Sequence, residues 1–217
     1  MRLQEAQHEI DRLARIPFGD LFTPEQLENI IRNKGKSGQL LELAIGLNLT
    51  NTTLDFEDGE LKTNKCDRRS QPLETMFITQ ISSIIDELLD VIPFIDSKLY
   101  KKINNMLYVP ISKEGDPNGW MFFPSIHVDL SLIKYRELLE ILENDYYRIC
   151  NAMNQQLSQS PRSTLHTISG DFIQIRTKDS KPYTPITSIN YGRVISNKNR
   201  AFYFKREFMK YIIDLEN

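Results

Sequence analysis

Cysteine is nearly missing from this 217-residue chain: Cys66 and Cys150 stand alone, and neither has the spacing of a zinc cluster or a disulfide framework. Both are expected to be reduced structural thiols. Histidine is also scarce, and His8, His127 and His166 lie too far apart to suggest a metal-binding motif. No apolar run reaches the roughly 18 residues of a membrane span. The first segment, "MRLQEAQHEIDRLARI", is charged and helix-patterned and has no uninterrupted apolar centre of the signal-peptide kind. These absences predict a cytoplasmic protein with no membrane partner. Internal repeats and low-complexity tracts are missing too, and no glycine-rich phosphate loop is complete, since Gly35 and Gly38 lack its spacing.

An overall basic excess is a further absence. The formal net charge is −2, which by itself argues against a polyanion as partner. The distribution qualifies this: nine lysines and arginines between Arg176 and Lys210 face only Asp179 and Glu207, leaving the rest of the chain acidic. Such a split suits a C-terminal lobe that binds anions, joined to a lobe that holds acidic or metal-binding groups. It equally suits a solvated basic face.

What is present is an ordinary globular composition, 40% hydrophobic, enough to fill a core. "FTPEQLENIIRN" reads as a helix, with Thr23 as cap, Pro24 at the first helical position and Gln26 closing a capping box. "KGKSGQLLELAIGLNL" continues with Leu40, Leu41, Ala44 and Leu47 at helical spacing, which sets Glu42 among buried neighbours. "TLDF" and "GELKT" read as paired strands around a turn at Glu57, Asp58 and Gly59, with Glu60 and Lys62 on one face. "ETMFITQI", "NMLYVPI" and "GWMFFPSIHV" are further strands. Between them "SIIDELLDVI" is a helix that Pro93 ends, and "SLIKYRELLEILENDYYRICNAMNQQL" is the longest helix. After the polar break "QSPRST" come a hairpin turning at Ser169, Gly170 and Asp171, a loop containing Pro, Ser and Asn, a strand "AFYF" and a closing helix. The expected fold class is α/β, of mixed α+β kind: one domain over residues 1–217, with a mixed β-sheet flanked by helices and lobes at about 1–160 and 161–217.

One group of side chains suggests chemistry. Hydrolysis of a phosphodiester calls for one or two divalent cations, and magnesium is typically held by one or two carboxylates with water and phosphate filling the other positions. Asp55 and Glu60 supply such a pair. Lys62 can orient a water or offset phosphate charge, and Glu42 can be a further ligand or a support for the others. Alone, this pattern is also that of a charged surface turn.

Its context narrows the choice. "NKGKSGQLLELAIGL", "DFEDGELKT", "QPLETMFI", "NMLYVPI", "FIQIRTK" and "AFYFKREF", in this order, resemble the MutH and Sau-type GATC endonucleases over roughly residues 17–213. The resemblance implies a restriction-endonuclease-like fold whose two lobes form a DNA cleft, and cleavage of double-stranded DNA at GATC with Mg2+. It assigns the catalytic roles to Asp55, Glu60 and Lys62, with Glu42 in support and Asp55 and Glu60 as the metal ligands. The gap between Asp55 and Glu60 is shorter than in the mismatch-repair members, so Asp58 competes for the aspartate role. A further family lysine falls at Asn104, with Lys102 nearby. On the DNA side the resemblance assigns Lys34, Arg176, Lys178 and Tyr203, the last at the position that senses adenine methylation, while Lys198 and Lys205 are expected as phosphate contacts. Arg176 and Lys178 also suit guanine reading on chemical grounds. The expected activity is that of a type II restriction enzyme, with a transient homodimer on DNA. The alternatives are a mismatch-repair nickase called by partner proteins and a non-cleaving DNA-binding module.

Overall fold

The computed structural model describes residues 1–32, 36–46, 54–178 and 181–216. In chain order its first elements are helices α1 (Leu3–Leu13), α2 (Phe18–Leu21), α3 (Pro24–Arg32) and α4 (Lys36–Ala44), followed by strands β1 (Glu60–Cys66) and β2 (Met76–Gln80). Helices α5 (Ile85–Leu89) and α6 (Lys98–Ile103) lead to β3 (Asn105–Ser112), β4 (Met121–Phe122) and β5 (Ile126–Asp129). The long α7 (Arg136–Ser158) precedes β6 (Ile168–Ser169), β7 (Ile173–Thr177), β8 (Ile186–Ser188), β9 (Arg193–Ser196) and β10 (Arg200–Phe204), and α8 (Arg206–Glu216) closes the chain. The mixed α/β class is as the sequence predicts. No helix among the described residues is long and apolar enough to cross a membrane.

Contacts divide the chain into two compact units. Unit 1 comprises Met1–Glu74, Asn104–Asp129 and Lys210–Asn217, and unit 2 comprises Thr75–Ile103 and Leu130–Met209.

Unit 1 is built on a mixed four-stranded sheet in which β3 is central: β1 runs parallel to it, while β4 and β5 pair antiparallel along different stretches of it. The sheet's apolar face, with Leu61, Leu107, Val109 and Ile111, packs against Leu3, Ala6 and Ile10 of α1 and Leu40 and Leu41 of α4. Each leucine, isoleucine or valine among them, fully buried, contributes about 1.5–3 kcal/mol. The predicted capping box of α3 forms: Gln26 N–H donates to Thr23 Oγ1 at 3.3 Å, and Thr23 N–H to Gln26 Oε1 at 2.9 Å. Two sequence expectations fail here. Ala44 is exposed rather than part of the apolar stripe, and Leu47 lies outside the described residues. The predicted hairpin of residues 54–63 does not form either, because β1 takes β3 as its parallel partner, with Glu60 beside Met106 and Lys62 beside Tyr108, and residues 54–58 form a bend. A parallel ladder needs a long crossover, here supplied by residues 67–104.

Unit 2 contains an antiparallel sheet in the order β2–β10–β7–β6 and the separate hairpin β8–β9. The 23-residue α7 buries Leu138, Leu142, Tyr146, Ile149, Met153 and Leu157 along one stripe, and it packs against β6 and β7. Leu132, counted in the helix from its pattern, is exposed ahead of it. The predicted β6–β7 hairpin forms. The segment read as a loop containing Pro, Ser and Asn holds β8 and β9, whose tip is fastened by Asp86: its carboxylate accepts from Ser188 Oγ and from the Ile189 N–H at 3.0 Å. Period-two patterning is too short in "ITS" and "RVIS" to be read without that partner.

Candidate active site

Glu60 and Lys62 leave the same face of β1 and are both nearly buried, at 4% and 9% exposure. Lys62 Nζ donates to Glu60 Oε1 at 2.6 Å, so the ammonium is held by charge as well as by the strand. Asp55 approaches from the bend, where Phe56 N–H bonds the Gly59 carbonyl at 2.9 Å and one Asp55 carboxylate oxygen accepts the Leu61 N–H at 2.9 Å. Leu61 lies between Glu60 and Lys62, so this bond fastens the Asp55 carboxylate alongside both. The neighbouring Asp58 is occupied otherwise: its Oδ1 accepts the Leu3 N–H at 2.8 Å at the start of α1, capping that helix from a distance. Asn105 steadies the same bend, donating to the Asp58 carbonyl at 2.6 Å while its Oδ1 meets His127 Nε2 at 2.7 Å.

Glu42 enters from α4. That helix lies close on β1 because residue 38 is glycine; a Cβ there would stand 3.2 Å from Thr63 Oγ1. Glu42, four residues on, falls on the same side of the helix. The carboxyl is half-buried, and its pKa is pushed up first by burial and then by the negative charge of Asp55, with Lys62 opposing and Glu60 adding. The four predicted side chains are thus electrostatically coupled.

Does this set suit a metal ion? Among the described residues no group of three or more His, Cys, Asp or Glu side chains is gathered into a metal cage. Magnesium does not ask for one, since one or two carboxylates are its usual protein ligands. Asp55 and Glu60 are hard oxygen donors at the same stretch of β1, and a cation would offset the repulsion that raises Glu42. The same strand faces also carry two buried polar atoms with no hydrogen-bond partner, Asn64 Oδ1 and Tyr108 Oη. The residues fit such an ion.

The predicted nucleic-acid residues assemble separately, in unit 2. On β7 and β10, Arg176 sits opposite Ala201 and Tyr203 opposite Gln174, so alternation brings Arg176 and Tyr203 to one face. The Arg176 guanidinium lies over the Tyr203 ring at 4.9 Å and donates to Thr75 Oγ1 at 3.0 Å. Lys178 stands over Phe77 at 4.6 Å, and Phe77 meets Tyr203 edge-on at 5.7 Å. Stacking on rings holds both cations outward with less loss of side-chain freedom on binding. Burial raises the Tyr203 pKa, with Arg176 opposing. Phe77 was not singled out from the sequence; the alternation in "MFITQ", with Met76 and Ile78 buried and Phe77 exposed, was the available signal. Lys198 lies over the Tyr183 ring at 4.5 Å. Lys205 donates to the Gly170 carbonyl at 3.0 Å and so braces the β6–β7 turn. Lys102 is on α6, and Asn104 directly precedes β3. Lys34 lies outside the described residues.

Comparison with known proteins completes the picture. The DNA mismatch repair protein MutH of Buchnera aphidicola subsp. Baizongia pistaciae is 26% identical over 193 residues, covering 86% of this chain and 84% of that protein. MutH of Photorhabdus laumondii subsp. laumondii is 26% identical over 204 residues, covering 90% and 85%. MutH of Shewanella woodyi is 28% identical over 189 residues, covering 85% and 78%. No family model matches the chain. Similarity running through most of both partners in each comparison agrees with the ordered motifs: the chain is similar to MutH proteins along most of its length.

Proposed function

We propose that the protein is a magnesium-dependent endonuclease that hydrolyses one phosphodiester per chain at GATC in double-stranded DNA. The observation that carries this reading is the fastening of Asp55 to the Leu61 N–H between Glu60 and Lys62. It joins two hard carboxylates and one ammonium at a single stretch of β1. Asp55 and Glu60 would hold the ion, which when bound polarises a phosphoryl oxygen and acidifies water. Lys62, oriented by its hydrogen bond to Glu60, offsets negative charge gathering on the phosphate and orients the attacking water. Glu42 supports the pair from α4 and adds to the demand for positive charge.

On the reading side, the Arg176 guanidinium offers a planar donor fork that matches the O6 and N7 acceptors of guanine in the major groove. Lys178 is placed beside it, and Tyr203 is proposed to contact the adenine edge and sense its methylation. Lys34, Lys198 and Lys205 are proposed backbone contacts. Arg176→Ala is expected to cost about 1–3 kcal/mol of discrimination at the guanine position, with smaller loss on unrelated duplexes. Competition binding with GATC and base-substituted duplexes checks this, and an equal loss on both would remove Arg176 from base reading.

Two biological roles use this chemistry. In a type II restriction enzyme two copies, or two successive nicks, cut both strands. In a mismatch-repair nickase, a single cut follows a call from partner proteins, and the names of the three relatives favour this role. Supercoiled plasmid carrying GATC, incubated with magnesium, separates them: linear product supports restriction and open circles support nicking. Retention of intact plasmid would instead show a non-cleaving DNA-binding module. Methylated, hemimethylated and unmethylated duplexes in the same assay establish which strand state is cut.

A further inference from the structure

At the far end of β1 from Glu60, unit 1 opens into a cavity of about 410 Å³ whose lining includes Arg15, Arg68, Arg69, Ser70, Gln71 and Glu216. Cys66, at the other end of the seven-residue strand from Glu60, is roughly 20 Å along β1, so this cavity begins that far from the candidate active site. We propose that it is a second anion site, one that takes a phosphate group.

The backbone that carries the basic residues is held in position. The turn after β1 is locked by Asp67, whose Oδ1 accepts the Arg69 and Gln71 N–H groups at 2.8 Å each. Its backbone adds two bonds, Ser70 N–H to the Asp67 carbonyl at 3.1 Å and Asp67 N–H to the Gln71 carbonyl at 3.0 Å. Arg15, at a positive φ of 64°, is tied by its N–H to the Phe122 carbonyl at 2.7 Å, and its guanidinium lies over the Phe123 ring at 5.5 Å. Ser125 donates to Asp11 at 2.8 Å, which leaves the guanidinium groups, the Ser70 hydroxyl and the Gln71 amide as donors toward the cavity.

The charges do not cancel. Glu216 is the sole lining carboxylate, and Glu114 reaches Arg68 only at 3.8 Å. Among the described residues no carboxylate lies within ion-pair distance of Arg15 or Arg69. Three guanidinium groups on one opening repel each other, and a dianion with several acceptor oxygens relieves that repulsion with paired, charge-assisted hydrogen bonds. The phosphate can belong to DNA flanking the cut site, a source that rests on the proposed function, or to a free phosphate compound, which does not.

Calorimetric titration with inorganic pyrophosphate, at low salt without divalent metal, tests the site. The wild-type protein is expected to bind saturably, Arg68→Ala/Arg69→Ala about tenfold or more weaker, and Arg176→Ala unchanged. Both exposed arginines can be removed without opening a core, and Arg15→Gln provides an independent variant. Equal pyrophosphate binding by wild type and both variants, or none by wild type, overturns the proposal. A second arm compares GATC duplexes of 10 and 30 base pairs. A loss confined to the long duplex, with a shallower salt dependence, identifies flanking DNA as the source. Loss of pyrophosphate binding with both duplexes unaffected identifies a free phosphate compound.

Discussion

Glu60→Ala is expected to lower cleavage of GATC duplexes by about 10³-fold or more while leaving binding to the same duplex within about twofold. The magnitude follows from the part assigned to the side chain: removing a single preorganised hydrogen-bond donor to developing charge already costs about 10²–10³, and Glu60 is proposed both to hold the ion and to fix Lys62 through the 2.6 Å contact. Binding is spared because the proposed reading residues belong to β7 and β10, in the other unit. The conservative Glu60→Gln separates chemistry from packing. It keeps the volume and a hydrogen bond to Lys62, so a merely structural Glu60 would tolerate it, whereas a ligand to a hard cation would not. Single-turnover cleavage over a magnesium series, with binding measured in calcium, checks both variants. Wild-type rates in Glu60→Gln would end the assignment of Glu60 as a ligand.

Unfolding of unit 2 should respond as strongly to Gly170→Ala and Asp145→Ala. Asp145 is fully buried on α7, yet its two oxygens accept the N–H groups of Asp171, Phe172 and Ile173 at 2.6–3.0 Å, and Arg148 pairs with it from the same helix. This one carboxylate thereby anchors the β6–β7 turn to the helix, and β7 carries Arg176. Removing it leaves three N–H groups without their acceptor and takes one of two carboxylate partners from the half-exposed Arg148, which keeps Asp171 at 3.1 Å, a loss of about 3–5 kcal/mol. A methyl group at Gly170 would lie 2.3 Å from the Asp145 carboxyl carbon. Because that carboxylate is bound on every side it has nowhere to go, and the substitution should cost about 1–3 kcal/mol. The double variant is the sharper test: without the carboxylate the three atoms nearest the methyl group are gone, so its loss should match that of Asp145→Ala alone rather than the sum. Urea unfolding followed by far-UV circular dichroism measures the cycle. Additive losses would show that the two residues do not oppose each other.

Much of the local structure was legible because its cause is local. The Thr23–Gln26 capping box, the apolar stripe of α7 and the turn at Gly170 each depend on residues within a few positions of one another. The common face of Glu60 and Lys62 follows from strand alternation however β1 is paired. The order of the six motifs, which carried the family resemblance, is also a property of the chain alone.

Pairing at long range was not legible. The segment around Asp55 has the alternation and turn residues of a hairpin, and nothing in ten residues reveals that β1 prefers a partner whose first residue is Asn105. Since the side-chain period is two, either partner leaves Glu60 and Lys62 together, so their common face did not depend on the strand pairing. The family resemblance favoured Asp55 over Asp58, but the spacing alone did not separate them; in the structure Asp55 accepts the Leu61 N–H while Asp58 accepts the Leu3 N–H. The Arg176, Tyr203 and Phe77 stack, drawn from three strands, was beyond the sequence, as was the anchoring role of Asp145. What the amino-acid order alone determined were the periodic faces, the caps and the motif succession, all governed by neighbours a turn or a pleat away. Tertiary structure alone decided which faces meet, because burial and hydrogen-bond satisfaction are settled between residues tens of positions apart.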